Sequence, residues 1–255
     1  MQFDEKWSFV AKKEKHCDRD DPADDVCGDC WDHVAYDPEH RLVVSLLVGR
    51  RAPELTDLLV EDFHRRTGGR IMDLMTSDEY SAYPEAIRSV YGEAVVPQRT
   101  GRPGRPRLEY RQLPEGLVYA TVHKVRESNR VVAVEERLIY GSPEQLAEAL
   151  ASSAVSERVT TVHIERYNGT DRQRNARKVR KSYRFSKDWE VHEAATAFVA
   201  FSANFCKPVR TLRQKLRRKE GKRKWRQRTP AMAAGLSNHV WSIEEWVSRP
   251  SVQRE

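Results

Sequence analysis

Apolar and polar positions alternate at the start of the chain, where "KWSFVAKKEK" puts Trp7 and Phe9 on one side and Ser8 and Val10 on the other, predicting a strand. An acidic connection, "DRDDPADDVCGD", leads to "CWDHVAY" and "RLVVSLLVG", two more strands joined by the turn "DPEH". The last is nearly all apolar, so we expect it at the sheet centre. After Pro53 the period lengthens: Leu55, Leu58, Leu59 and Phe63 share a helical face, and "TGG" supplies glycine past the final turn. "RIMDLMTSD" then predicts a short buried strand running into Asp78, and "SAYPEAIRSVYG" a helix closed by Gly92.

Residues 98–116, "QRTGRPGRPRLEYRQLPEG", continue neither pattern and read as a linker or arm. A hairpin, "LVYATVHKVRE" with "RVVAVEERLIYG", follows, and then the helix "SPEQLAEALASS", capped by Ser142 with Pro143 at its first position. The chain resumes with "RVTTVHIE", a basic segment, the apolar helix "WEVHEAATAFVAFSANF", a second basic stretch and a docking tail. These elements predict an α/β fold in four parts: 1–97 and 158–206 as the two halves of a core, 98–157 as an insertion, and 207–255 as a basic C-terminal region. The expected sheet is mixed, three antiparallel strands plus parallel ones, flanked by helices.

Charge sharpens this picture. The 255 residues carry a formal charge of +7, and the distribution is uneven. Residues 1–40 hold twelve acids and five bases, whereas 207–228 hold twelve bases and one acid. A basic surface attracts polyanions, with nucleic acid the leading class. No apolar run has the roughly 18 residues of a membrane span, and the N-terminus lacks the pattern of a secretory signal, so we expect a cytoplasmic chain. Four cysteines are too few for a disulfide framework. His16, Cys17, Cys27 and Cys30 include the two-residue gap of zinc sites but lack a second well-spaced pair; an acidic loop with incidental thiols is the stronger reading.

Three carboxylates fall where cation chemistry would need them: Asp4 near the start of the first strand, Asp78 at the end of the fourth, and Glu165 where a helix should begin. Acids distant in sequence converge when each sits at the tip of a sheet element, and magnesium takes a few carboxylates plus substrate phosphate oxygens. Spacing alone is weak, because 38 acids offer many triples. The surrounding blocks add more: "DEKWSFV", "TSDEYSAYPEAI", "HIERYN", "YRFSKDWEVHEA" and "NFCKPVRTLR", in that order. Together they resemble the insertion-sequence-one family of DDE transposases, whose catalytic core is ribonuclease H-like.

The resemblance runs from Asp4 to about Val247 and implies Asp4, Asp78 and Glu165 as the catalytic, metal-binding triad, with Mg2+ or Mn2+. It implies phosphoryl transfer on DNA: strand cleavage at an element end by activated water, then attack of the freed 3′-hydroxyl on target DNA, by a homo-oligomer that holds two ends. Strand alternation would turn the neighbouring Glu5 and Glu79 away. His192 matches a family position and reads mainly as a packing or orienting group. Only three residues precede Asp4. The end-recognition module such transposases carry is therefore expected elsewhere: separately encoded, joined by frameshifting, upstream of this start, or lost from a decayed copy.

The basic segments supply candidate DNA contacts. A helix over 172–187 would align Arg174, Arg177, Lys178 and Lys181 on one face, with a solvated charged helix as the plainer reading. The doubled "GRPGRP" offers Arg102 and Arg105 to a narrow minor groove, or is a plain linker. Arg213, Arg217 and Arg218 lie in the second basic stretch with Trp225 available for stacking. The alternative function is a non-catalytic or truncated DNA-binding protein that interferes with transposition. A ribonuclease on RNA–DNA hybrids shares fold and metals but not the downstream basic blocks.

Overall fold

The computed structural model describes residues 1–18, 20–97, 108–128, 130–220 and 223–249. Its elements in chain order are β1 (Gln2–Val10), β2 (Gly28–Asp37), β3 (Leu42–Gly49), α1 (Pro53–Arg66), β4 (Met75–Asp78), α2 (Ala82–Tyr91), β5 (Glu93–Val95), β6 (Tyr110–Gln112), β7 (Tyr119–Glu127) and β8 (Arg130–Tyr140). They continue with α3 (Pro143–Ala151), α4 (Val162–Arg174), α5 (Trp189–Cys206), β9 (Gln214–Glu220), β10 (Arg223–Arg226), α6 (Pro230–Ala233) and α7 (Ile243–Ser248). The fold is α/β, with one mixed six-stranded sheet in the order β3-β2-β1-β4-β7-β8.

Strands β1, β2 and β3 form the expected antiparallel meander, and β4 joins β1 in parallel. The nearly all-apolar β3 is at the sheet edge, not its centre. Its apolar side chains are covered instead by helices on the faces, and Asn204 of α5 bonds to both Val43 N and Val43 O, at 3.1 and 2.8 Å. That bidentate contact blunts an edge that would otherwise offer free backbone groups.

Helices α1 and α2 cover one face of the sheet, where Phe3, Leu59, Phe63, Tyr83, Ile87 and Tyr119 form the largest apolar cluster. On the other face Ile164 of α4 and Ala200 of α5 pack with Val34, Tyr36, Val43 and Leu46. Phe3 belongs to the first face, so its neighbours Gln2 and Asp4 turn to the second, as the period of two demands. Among the described residues, no helix is long and apolar enough to cross a membrane.

The hairpin assigned above to an insertion is part of the main sheet. β7 pairs in parallel with β4 from Met75↔Tyr119 to Asp78↔Val122, and β8 closes the edge antiparallel to β7. Tyr119, Ala120, Thr121 and Val122 are all buried, which marks a strand covered on both faces. A hairpin pattern shows that two strands pair with each other; it does not show which third strand they join. The small β5–β6 ribbon brackets residues 98–107, so Arg102 and Arg105 lie outside the described residues.

β1 pairs with β4 at Gln2 opposite Thr76 and no further along. At the far end of that edge the chain after α4 meets β1: Val10 bridges Ser186, and Ala11 N donates to Ser186 O at 2.7 Å. β1 and β4 thus part company next to Asp4 and Asp78.

If β7 is a core strand, Tyr119→Ala costs about 3 kcal/mol or more of unfolding free energy in urea titration. Val131→Ala, on the outer strand where Val131 is 48% exposed, changes it by no more than about 0.5 kcal/mol. Comparable small losses at both positions would contradict the assignment of β7 to the core.

Candidate active site

Asp4 and Asp78 come together where β1 and β4 separate. One carboxylate oxygen each from Asp4, Glu5 and Asp78 lies within 4.8 Å of the others, the one such group of potential cation ligands among the described residues. Asp4 is fixed from two sides: Asn168 Nδ2 donates to its Oδ2 at 2.6 Å, and the Glu5 backbone N–H to its Oδ1 at 3.0 Å. Burial, with repulsion from Asp78 and Glu5, pushes the Asp4 carboxyl up to about 7.

Glu5 joins this group, contrary to the expectation that alternation would exclude it. Its side chain does turn to the α1–α2 face, where Arg51 Nη2 donates to Oε2 at 3.1 Å. Near the open end of the strand pair, however, a long side chain still reaches the junction. Glu5 Oε1 is buried without a hydrogen-bond partner among the described residues; the Tyr83 hydroxyl neighbours it without hydrogen-bond geometry. Burial raises the Glu5 carboxyl above its ordinary range. Arg51 is itself held by aromatic faces, 4.1 Å from the Tyr80 ring centroid and 5.0 Å from that of Trp31. Glu79 does turn away, into a surface pairing with His123 and with Arg137 at 2.5 Å.

Glu165 stands in the first turn of α4, which begins at Val162 and runs through "NGT" without a break. Its carboxylate is not in the group of three. Thr161 Oγ1 donates to Oε1 at 2.7 Å, and Lys124 of β7 pairs with the same oxygen. Glu165 and Asn168 are three residues apart and share a helical face. The face that reaches Asp4 through Asn168 therefore also carries Glu165, whose charge contributes to raising the Asp4 carboxyl. Asn168 was missed in the sequence, although its spacing in "HIERYN" fixes it one turn beyond Glu165.

The basic candidates separate into different environments. No helix spans 172–187: α4 ends at Arg174, a single 3-10 turn covers 176–178, and turns follow through 184. Lys178 is not a solvent-facing DNA contact. With Lys6 it is buried against Asp32 and Asp171, the Lys6–Asp32 contact measuring 3.0 Å and Lys178–Asp171 3.5 Å. Burial opposes the charge on Asp32, but the two ammonium groups outweigh it and hold its carboxyl down to about 2.

Arg174 and Lys181 are exposed, and Arg177 is half-buried. Arg213 is exposed, its guanidinium 4.2 Å from the Trp225 ring centroid, and Arg217 and Arg218 fall within β9. His192 is fully buried between Ser186 Oγ at 2.7 Å and Ser8 Oγ at 3.2 Å, with burial lowering its imidazole to about 4, which makes it a packing and orienting group. The residues His16, Cys17, Cys27 and Cys30 are not gathered into a ligand set; Cys30 lies inside β2, and Cys17 and Cys27 bond to nearby carbonyls.

Two clefts flank β1. One of about 650 Å³ opens around Met1, Asp37 and Arg158 and holds none of the acidic group. The other, of about 640 Å³, lies between Trp7 and Phe9 of β1 and residues 177–185. No protein-family model matches the chain, and no curated protein or solved structure shows significant similarity to it.

The donor set suits a hard divalent cation: it consists of carboxylate oxygens only, from three acids of which Glu5 alone is paired with a cation, Arg51, among the described residues. Between roughly pH 4 and 7 the folded chain keeps protons on Asp4 that the unfolded chain has released. Asp4 therefore subtracts from stability progressively as pH rises through this window. Measured by denaturant titration at each pH, Asp4→Asn should gain stability relative to wild type from pH 4 to 8; a pH-independent difference would contradict the raised carboxyl. Lys178→Ala should cost about 3–5 kcal/mol, since it strands two buried carboxylates beside one ammonium. A stable Lys178→Ala protein with weakened DNA binding would return Lys178 to the DNA-contact set.

Proposed function

We propose that this chain is the catalytic region of a DDE transposase of the insertion-sequence-one type, a ribonuclease H-like enzyme that acts in the cytoplasm. Its reaction is divalent-metal-dependent DNA strand cleavage and strand transfer. The observation that carries this reading is the meeting of Asp4 and Asp78 at the parting of β1 and β4, beneath the α4 face that bears Glu165. A meander of three antiparallel strands followed by parallel ones is the sheet expected of such a core.

Asp4, Asp78 and, through its free Oε1, Glu5 would hold the cation, with Glu165 available from α4 for a second. Bound Mg2+ or Mn2+ would supply Lewis acidity to the two oxygens exchanged in a phosphodiester displacement. The protein's own part is positional. Asn168 and the Glu5 N–H fix both oxygens of Asp4, so its carboxylate is oriented before substrate arrives. Arg51 binds Glu5 Oε2, and Oε1 is left without a hydrogen bond among the described residues. Lys124 balances the charge on Glu165 while no cation is shared with it. Exposed Arg174, Lys181 and Arg213 would hold the DNA backbone and position it without reading sequence. Assembly as a homo-oligomer, with a recognition module for the element ends, completes the reading.

The test is nicking of supercoiled plasmid at low salt. The wild-type chain should nick with Mg2+ or Mn2+ and stop with a chelator, and Asp78→Ala should fall to background while retaining DNA binding. Salt-sensitive binding without nicking under either metal would support the alternative of a DNA-occupying protein that interferes with transposition.

A further inference from the structure

The cleft of about 640 Å³ beside β1 falls within the roughly 300–1,000 Å³ range of small-ligand sites. One wall is a row of aromatic rings: Phe9 lies 5.8 Å from Trp7 and 4.8 Å from Phe185, all tilted by about a third of a right angle and all half-buried. Tyr183 also lines the cleft and is 97% exposed, so it contributes almost nothing to the core. The rim is cationic. Lys13 Nζ sits 5.7 Å from both the Trp7 and Phe9 ring centroids, and Arg177, Arg180 and Lys181 line the cleft from the other side.

Among the described residues, no Asp or Glu lines this cleft. Among the described residues, Lys178 is the one basic group of the cleft paired with carboxylates, the buried Asp32 and Asp171. Lys181 adopts φ 54°, a left-handed conformation uncommon for a side-chain-bearing residue and one that collects at binding sites. The location is also informative: Trp7 is three strand residues beyond Asp4, roughly 10 Å along β1.

We propose that this cleft binds an unpaired nucleotide of a DNA strand, its base against the Trp7, Phe9, Phe185 and Tyr183 rings and its phosphates on the basic rim. Rings and cations together are what select that ligand. A paired base in a duplex is already stacked on its neighbours and exposes little π surface, so the rings would gain nothing from it. An unstacked base presents a full face to aromatic side chains, and the flanking phosphates satisfy the cations. The proposal rests on the DNA-processing role for its purpose: a strand held open within about three residues of the acidic group is a strand presented for cleavage.

The probe is a fluorescein-labelled thymidine octamer, compared by fluorescence anisotropy with an abasic octamer that keeps the phosphates. The full wild-type chain should bind the thymidine octamer about tenfold more tightly than the abasic one. Tyr183→Ala should weaken the thymidine octamer about fivefold or more while leaving the abasic octamer unchanged, and Tyr183→Phe should restore it. Arg180→Ala should weaken both alike. Equal affinity for the two oligomers, or no effect of Tyr183→Ala, overturns the proposal; tighter binding of a uridine RNA octamer overturns its assignment to DNA. Plasmid nicking by a chain that does not distinguish the octamers would sink the cleft alone. Discrimination by a chain that never nicks would sink the catalytic reading alone.

Discussion

Two buried ammonium groups and two buried carboxylates fasten the second half of this chain to the first. Lys6 comes from β1, Asp32 from β2, Asp171 from α4 and Lys178 from the turn after it, and all four are essentially excluded from water. Charges taken out of water are costly unless they meet counter-charges in good geometry, so the quartet is stable only as a complete set. That all-or-none character fixes two things at once. It seats α4 on the sheet so that Asn168 and Glu165 are on the side of Asp4, and it holds the segment after α4 close enough to meet the far end of β1 at Val10.

The acidic group a short distance along β1 follows the opposite rule. Asp4, Glu5 and Asp78 share one small region in which, among the described residues, Arg51 is the one cation paired with them, and burial together with their mutual repulsion raises the carboxyls of Asp4 and Glu5. A fold that matches its charges so closely in the quartet, yet leaves three carboxylates crowded beside it, keeps a place for positive charge from outside. Such departures from self-consistency collect at functional sites. The aromatic cleft, with its excess of cations, is the complementary departure: one region awaits positive charge and the adjoining one awaits negative, and a phosphodiester with its metal ions brings both.

Local pattern revealed much of this. Strand and helix periods located β1 to β4 and α1, α2, α3 and α5, and Asp4 and Asp78 stood out because one was expected at the start of a strand and the other at the end of one, in blocks that resemble the insertion-sequence-one transposases. What stayed hidden depended on contacts remote in sequence. The place of β7 was invisible because its own hairpin explained its pattern fully. Lys178 read as one base among eight between Arg166 and Arg184, since its partner Asp32 is 146 residues away. Glu5 was set aside by an alternation rule that holds for the direction of a side chain but not for the reach of a long one. "NGT" carries poor helix formers, yet the packing of Ile164 and the buried Asp171 on either side of it hold α4 through that stretch.

The central claim is that the parting of β1 and β4 is a divalent-cation site. The most direct measurement is anomalous scattering from crystals of the full chain grown or soaked with Mn2+. The account predicts an anomalous peak in contact with carboxylate oxygens of both Asp4 and Asp78, absent from an Asp78→Ala crystal treated alike. Well-ordered Asp4 and Asp78 carboxylates with no manganese between them, at millimolar metal, would contradict it.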